Sequence, residues 1–309
     1  MTSRRLRLIA AAAFAFAAAS AVPGVGQAQD LSAACRDPEV ASGAESEAAP
    51  SASPPPGPVT VTDTAGNDLS VLAVATGTNP SGIAVDRTDA FGRVFVADQG
   101  SDQVTALYGR SPGLTMGCRL PAGSRPVDVA VDDATGTVLT TLGGTPRVVL
   151  IDGRSESNRI TGWIDLPGTP AQVTIDQASR RAWVSMPESG QVAQLEATAS
   201  EGPDAPAWQV TGTFEAGSYP TFLAVDEERD LLLVSAQGQA PGASGDEGRG
   251  AVHIFDLSAG QPEPLGAPIP ASVPTGIAFD PATGTAFVLE NGTDTLMSIT
   301  FPADGTERS

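Results

Sequence analysis

The sequence predicts an all-β protein built from one four-stranded unit that is repeated along the chain, and three observations support this. First, a seven-residue segment that begins with proline and ends with aspartate recurs five times in the 309 residues. Second, each recurrence is followed by short apolar runs separated by turns rich in Gly, Asp and Pro, which is typical of strands joined by hairpins. Third, beyond the N-terminal segment no amphipathic helical pattern extends over ten residues or more.

The recurring segment sets the period of the array. It occupies 80–86, 126–132, 170–176, 220–226 and 274–280. The prolines that open these segments therefore recur at intervals of roughly 50 residues. A period of this length indicates stacked supersecondary units and excludes two independent globular domains.

Each unit contains four predicted strands. In the first unit, the segment that begins with Pro80 is followed by the apolar runs 93–97 and 103–107, and a fourth run such as 160–166 completes a unit. Four antiparallel strands in every copy of such a repeat form the blade of a β-propeller. We therefore predict a β-propeller of four-stranded antiparallel blades, with five blades favoured and six as the alternative.

The last unit supplies only three predicted strands and ends with the run 296–300. A further apolar run, 69–74, lies just before Pro80. Pairing it with the last unit would cover strand edges that otherwise favour aggregation. The sequence therefore predicts a ring closed by this N-terminal strand. The run 59–62 is then a surplus strand, or part of a degenerate sixth blade in the alternative.

The units resemble the YVTN and NHL-type propeller repeats. Blades of that type open with a Pro-x-Gly-apolar-Ala-Val-Asp segment, as in 80–86, and continue into a Val-Phe-Val-Ala-Asp strand, as in 93–104. The resemblance extends over roughly 59–301 and implies the propeller fold of an exported bacterial protein. It does not specify an activity, because this repeat serves many unrelated functions.

The N-terminus has the features of an export signal. Residues 1–7 carry three Arg and no acid, and 8–21 are almost wholly apolar before Pro23 and Gly24. We place the signal peptide at 1–28, with a twin-arginine route and a membrane anchor as alternatives to the general secretory route. The expected location is periplasmic or extracellular, with no transmembrane segment after cleavage.

After the signal we predict a tether and one domain. Residues 29–58 are rich in Ala, Ser and Pro and read as disordered, whereas 59–309 form a single β-propeller domain. The chain has two cysteines, Cys35 and Cys118. An oxidising compartment predicts a disulfide between them, with intermolecular pairing or free thiols as alternatives.

Charge and composition exclude several functions. There are 36 acidic residues against 17 basic ones, and every basic residue is Arg. This argues against nucleic-acid binding, and the missing Lys excludes Schiff-base catalysis and phosphate-loop nucleotide binding. The single histidine, His253, excludes multi-histidine metal sites. We expect a monomer whose ligand is an unidentified protein, peptide or glycan.

Five aspartates end the recurring segments, at Asp86, Asp132, Asp176, Asp226 and Asp280. Their identical place in every unit predicts a structural role, in which each side chain caps its own turn through an Asx-type hydrogen bond.

Function should depend on what differs between the copies. In this type of repeat, the link into the first strand and the turn between the second and third strands open on one face, around the channel mouth. The residues that differ there are Asp98, Asp128, Glu188, Gln237, Glu290 and Asn291. We predict that they bind a ligand, with no cofactor and no catalytic residue.

Two other functions stay open. Asp98, Glu188 and Glu290 could bind Ca²⁺ through oxygen ligands, as in a metal-dependent hydrolase or lactonase of the gluconolactonase type. No spacing of acids here matches such a site residue by residue. A scaffold or redox-associated accessory protein of the envelope is the other alternative.

Overall fold

The structure is a computed structural model that describes part of the chain. The described residues are 59–62, 68–71, 73–88, 92–109, 115–154, 158–198, 208–238 and 250–302, and for 59–62, 68–71 and 115–118 only the backbone is described. The predicted signal peptide, the predicted tether and Cys35 lie outside the described residues. The same holds for the side chain of Cys118, so the disulfide stays a prediction.

The first two strands, β1 (Val59–Thr62) and β2 (Asp68–Val71), form a two-stranded antiparallel sheet. Five larger antiparallel sheets follow, one for each copy of the repeat. The first contains β3 (Pro80–Val85), β4 (Val94–Asp98), β5 (Gln103–Tyr108) and β6 (Thr115–Leu120). The second contains β7 (Pro126–Val131), β8 (Thr137–Leu142), β9 (Arg147–Asp152) and β10 (Arg159–Asp165). The third contains β11 (Val173–Asp176), β12 (Arg181–Met186), β13 (Gln191–Ala197) and β14 (Trp208–Glu215).

The last two sheets depart from four simple strands. The fourth contains β15 (Pro220–Asp226), β16 (Leu231–Ala236) and β17 (Gly250–Asp256), and the position of its fourth strand is shared by the short strands β18 (Glu263–Pro264) and β19 (Ile269–Ala271). The fifth contains β20 (Pro274–Asp280), β21 (Thr285–Glu290) and β22 (Thr295–Thr300). The fifth sheet has three described strands, as the sequence predicts.

The predicted fold class is confirmed. Antiparallel sheets of this kind, one per repeat, are β-propeller blades. The only helices among the described residues are two single-turn 3-10 helices, Gln99–Ser101 and Pro187–Ser189. No helix in that part of the chain is long and apolar enough to cross a membrane. Five blades, or six, stay a prediction.

Among the described residues, the N-terminal strand does not pair with the last unit as predicted. Strand β2 pairs instead with β1, in the register Val59 to Val71 and Thr62 to Asp68. The two strands are separated only by 63–67, so their pairing closes a short loop at a small entropic cost. The expected strand at 69–74 is also shorter and begins one residue earlier.

The five repeated aspartates have the predicted structural role. In each copy, one carboxylate oxygen accepts a hydrogen bond from the backbone N–H two residues further on, with N···O distances of 2.9 to 3.1 Å. Arg154 and Arg180 add ion pairs from later turns to Asp86 and Asp132. All five aspartates therefore shape their own turns, and Asp86 and Asp132 also join neighbouring copies.

The described residues divide into two compact units. One contains Ser185–Ala193 and the described residues from Gly212 onward, and the other contains the described residues up to Val184 together with 194–198 and 208–211. Within each unit, buried apolar residues pack between successive sheets.

Candidate functional site

Each sheet is entered through a link that ends just before the repeat proline, and its second and third strands are joined by a turn. In the first copy, the N–H groups of Gln99 and Gly100 donate to the carbonyls of Asn79 and Thr78, at 3.1 and 2.9 Å. Three other copies repeat both bonds at 2.8 to 3.1 Å: Gly143 and Gly144 to Arg125 and Ser124, Gln237 and Gly238 to Tyr219 and Ser218, and Asn291 and Gly292 to Val273 and Ser272. We call each such hydrogen-bonded arrangement a link–turn pair.

The last residue of each link in these four copies has a left-handed backbone. Its φ is 49° at Asn79, 58° at Arg125, 59° at Tyr219 and 48° at Val273. This conformation costs about 1–2 kcal/mol for a residue other than glycine, and a residue before proline ordinarily prefers an extended backbone. The two hydrogen bonds of the link–turn pair hold the link in this conformation.

In the third copy the first residue of the turn cannot make the corresponding hydrogen bond to the link. That residue is Pro187, and proline has no N–H to donate. Thr169, which precedes the third repeat proline, is not among the residues with positive φ in the described chain. Pro187 instead begins the 3-10 turn Pro187–Ser189, on which Glu188 is exposed.

Asp98 ends β4 and is fully buried. Its Oδ2 accepts hydrogen bonds from the hydroxyl of Thr105 at 2.5 Å and from the amide of Gln103 at 3.3 Å, while its Oδ1 has no hydrogen-bond partner among the described residues. The backbone at Gly77 lies so close that a Cβ there would stand 2.6 Å from the Cβ of Asp98. Asp98 is therefore packed beneath the first link and is not open to a ligand.

Asp128 lies on the innermost strand of the second sheet and bridges three copies. Its Oδ2 accepts a hydrogen bond from the N–H of Val173 at 3.1 Å, and its Oδ1 lies against Gly82, where a Cβ would come within 2.5 Å. Burial raises the pKa of Asp128 to about 7, against the opposing effect of hydrogen bonds from the Val173 and Val129 backbones. The carboxyl group is therefore buried, and its protonation state depends on pH near neutrality.

Glu188 lies near one of the left-handed link residues. Burial raises the pKa of the Tyr219 hydroxyl, and the negative charge of Glu188 raises it further. Gln191 nearby donates its side-chain amide to Glu215 at 2.8 Å. This part of the face therefore presents an aromatic hydroxyl beside an exposed carboxylate.

The other three predicted site residues belong to the fourth and fifth link–turn pairs. Gln237 and Asn291 are the first residues of their turns, and their backbones make the link contacts. Glu290 ends β21, where its two oxygens accept hydrogen bonds from the N–H of Ser272 and the hydroxyl of Thr295, both at 2.9 Å. Glu290 thus holds the fifth link in place.

The structure assigns the six predicted residues to the two compact units. Asp98 and Asp128 belong to one unit, and the other four belong to the second. In the part of the chain that the structure describes, no three Asp, Glu, His or Cys side chains lie close enough together to bind a metal ion. Each carboxylate except Glu188 instead makes the local contacts described above.

Sequence reasoning missed the four left-handed link residues, Asn79, Arg125, Tyr219 and Val273. The signal was present, because each stands immediately before a repeat proline and differs from copy to copy. Their conformation could not be read from the sequence, since a residue before proline is ordinarily extended.

The chain matches no family model and no curated protein. It is similar in structure to a Bacteroides fragilis protein provisionally assigned as a 6-phosphogluconolactonase, with a TM-score of 0.62 at 12% identity over 79% of this chain and 73% of that one. A periplasmic gluconolactonase from Pseudomonas aeruginosa gives 0.58 at 16% identity, over 79% and 72%.

A functionally unknown protein from Desulfotomaculum acetoxidans gives 0.57 at 14% identity, over 74% of this chain and 71% of that one. At these identities the likeness shows a shared β-propeller fold.

Proposed function

We propose that this chain is an exported, non-catalytic β-propeller that binds a protein, peptide or glycan through its link–turn pairs. The observation that carries the proposal is that four copies keep the same strained backbone but place four chemically different side chains on it. These are the amide of Asn79, the guanidinium of Arg125, the phenol of Tyr219 and the isopropyl group of Val273.

Energetics support a role for the side chains. At a position with positive φ, glycine is the residue that adopts the backbone without steric cost. Only Asn among these four tolerates that conformation readily, yet none of the links has glycine there. Arg, Tyr and Val therefore stand at these positions at a cost in stability. A role of their side chains in binding would explain why they stand there in place of glycine.

The chemistry of these side chains suits recognition. Arg and Tyr are enriched at the centres of interfaces, where they combine apolar area with directed hydrogen bonds. Asn79 and Arg125 are exposed, and Tyr219 is partly exposed beside Glu188. Backbone hydrogen bonds fix the links, so binding through them would cost little backbone entropy.

Further features support export and the repeat family. The predicted signal peptide, the acidic mature chain and the resemblance to YVTN and NHL-type repeats favour an envelope or extracellular binding protein. The name of the periplasmic gluconolactonase suggests a lactonase as the alternative, for which the sequence pointed to Ca²⁺ bound by Asp98, Glu188 and Glu290.

Glycine substitutions test the binding proposal. Arg125→Gly and Tyr219→Gly each remove a side chain from a left-handed position, so the free energy of unfolding should be unchanged or rise by up to about 1 kcal/mol. Binding to the hits of a glycan array and a displayed peptide library should fall at least tenfold. Asp230→Gly is the matched control, because Asp230 has a φ of 53° in the turn between β15 and β16, away from the links.

Hits that both variants bind as well as the unchanged protein would contradict the proposal. Opening of a gluconolactone ring that requires Ca²⁺ and stops with a chelator would instead establish the lactonase alternative.

A further inference from the structure

Asparagine is followed by glycine in the turn of the fifth link–turn pair. The second turn residue is glycine in all four pairs, and these glycines are Gly100, Gly144, Gly238 and Gly292. The first turn residue differs between the pairs and is, in the same order, Gln99, Gly143, Gln237 and Asn291. The fifth pair alone among these four therefore places an asparagine amide beside the backbone nitrogen of a glycine.

An asparagine followed by glycine is chemically reactive. The backbone nitrogen of the glycine can attack the side-chain carbonyl carbon of the asparagine, and a five-membered succinimide ring forms as ammonia leaves. Water then opens the ring at either carbonyl, which gives aspartate or isoaspartate. Glycine favours the attack because it has no Cβ to restrict the backbone. Glutamine would have to form a six-membered ring, which is much slower.

The other two asparagines in the part of the chain that the structure describes lack these conditions. Asn79 precedes a proline, which has no N–H to lose before the attack. Asn158 is fully buried and precedes an arginine. Asn291 and Gly292 are both exposed, so the water that opens the ring reaches them.

One hydrogen bond opposes the reaction while the fifth link–turn pair is closed. The N–H of Gly292 donates to the carbonyl of Ser272 at 3.0 Å, and a nitrogen that keeps its proton in such a bond is a poor nucleophile. The attack therefore requires the link to open. Glu290 restrains the opening, because its carboxylate accepts the N–H of Ser272 at 2.9 Å.

Two features lower the free-energy cost of opening this link. Val273 is the only β-branched residue among the four left-handed link residues, and its φ of 48° is strained for that side chain. The strain is released when the link leaves its closed conformation. Residues 291–296 are all exposed, so few buried contacts are lost when the turn moves.

We propose that Asn291 is a modification site, at which the side-chain amide condenses with the Gly292 nitrogen and is then hydrolysed to aspartate or isoaspartate. The reaction releases ammonia, consumes water and requires no enzyme. Either product adds a negative charge to the fifth link–turn pair. Isoaspartate also adds a methylene group to the backbone, which displaces the Gly292 N–H from the carbonyl of Ser272.

Incubation of the purified protein in mildly alkaline buffer, followed by peptide mapping with mass spectrometry, tests the proposal. The peptide that contains Asn291 should gain the mass that replaces an amide by an acid and should separate into aspartate and isoaspartate forms. The rate should rise with pH, because the attacking nitrogen must lose its proton. The peptides that contain Asn79 and Asn158 are internal controls and should stay unchanged.

Three variants relate the reaction to the residues that surround it. Asn291→Gln should slow the conversion at least tenfold with an unchanged Tm, because glutamine holds the equivalent position in two other pairs. Glu290→Ala should speed the conversion at least threefold, since Ser272 loses its anchor. Val273→Gly should slow it, because glycine adopts the closed backbone without steric cost.

The matched control is Glu263→Ala, which removes an exposed glutamate of β18 and should leave the rate unchanged. The Tm of every variant in the same buffer shows that it is folded. Conversion at Asn291 that is no faster than at Asn79 and Asn158 would overturn the proposal. A rate that neither Glu290→Ala nor Val273→Gly alters would also overturn it, because opening of the link would then not control the reaction.

Discussion

Asp128 is the side chain whose charge state should most affect stability near neutral pH. Its pKa is about 7 in the folded protein against 3.8 for the free side chain, because burial disfavours the carboxylate. Between those two values the unfolded chain releases the proton and the folded chain keeps it. Stability from this group is therefore fully present below about pH 4 and falls as the pH rises toward 7.

Replacing Asp128 with asparagine should remove that dependence. In Asp128→Asn the amide oxygen can still accept the N–H of Val173, but nothing ionises. At pH 8 the variant should be more stable than the unchanged protein by up to about 4 kcal/mol, and the difference should shrink toward pH 4. Urea unfolding at a series of pH values measures it. A difference that stays constant over this range would contradict the prediction.

At the residue scale, sequence reasoning succeeded where a role is local. The Asx caps at Asp86 and its four equivalents depend on atoms two residues apart, so their repetition identified them. It failed at Asp98, which reads as a surface turn residue but is buried, since Gly77 and the hydroxyl of Thr105 come from other elements. It failed also at Tyr219, whose backbone is set by bonds to the turn that follows β16.

At the scale of elements, side-chain hydroxyls join one sheet to the next. Thr141 of β8 donates to the carbonyl of Ala171 at 2.7 Å, and Ser185 of β12 donates to the carbonyl of Thr221 at 2.9 Å. Both donors are buried. Each bond therefore gives a carbonyl of the next copy a side-chain donor.

Two adjacent threonines allow the contribution of such a hydroxyl hydrogen bond to stability to be measured. Thr140→Val and Thr141→Val make the same change on opposite faces of β8, and both residues are fully buried. The Thr140 hydroxyl has no hydrogen-bond partner among the described residues, so its replacement should be neutral or slightly stabilising. Thr141→Val should destabilise by about 1–3 kcal/mol, because it leaves the Ala171 carbonyl and the Asp128 N–H unpaired.

Chemical denaturation of the two variants at one pH provides the comparison. Equal losses of stability in both would show that the hydroxyl does not join the sheets.

Strand positions were predictable because the repeat marks them. The proline and aspartate of the repeat bracket the inner strand in the first copy, where β3 runs from Pro80 to Val85. The pairing of β2 was not predictable, since an apolar run does not say which of two edges it joins. The sequence reasoning also did not predict that two short strands, β18 and β19, share the fourth position of the fourth sheet. Both lie within the residues 257–271, which contain several prolines, and proline has no N–H to donate to a neighbouring strand.

For the molecule as a whole, charge should govern which surfaces it avoids. Without the predicted signal peptide the chain has 14 Arg against 36 acids, a formal charge of −22. We expect no sedimentation with vesicles that contain phosphatidylglycerol and no retardation of duplex DNA at about 0.05 M salt, because both surfaces are anionic. Zwitterionic vesicles are the control. Sedimentation with the anionic vesicles alone would contradict the prediction.

The fold was accessible from the sequence because a segment that recurs five times at nearly regular intervals constrains the whole chain at once. The exposure of individual strand positions was not accessible in this way. Leu296 and Val104 occupy equivalent, apolar positions, and only the structure shows that one is exposed and the other buried.

The link–turn pairs have a consequence for how this molecule can change. Their geometry is set by backbone hydrogen bonds, so a change of side chain at Arg125 or Tyr219 leaves the bonds that hold the link unchanged. A new recognition surface can therefore arise one substitution at a time, with each intermediate folded. Under the proposed binding function, exchange of side chains between copies would change what the surface binds while the hydrogen bonds that hold each link are kept.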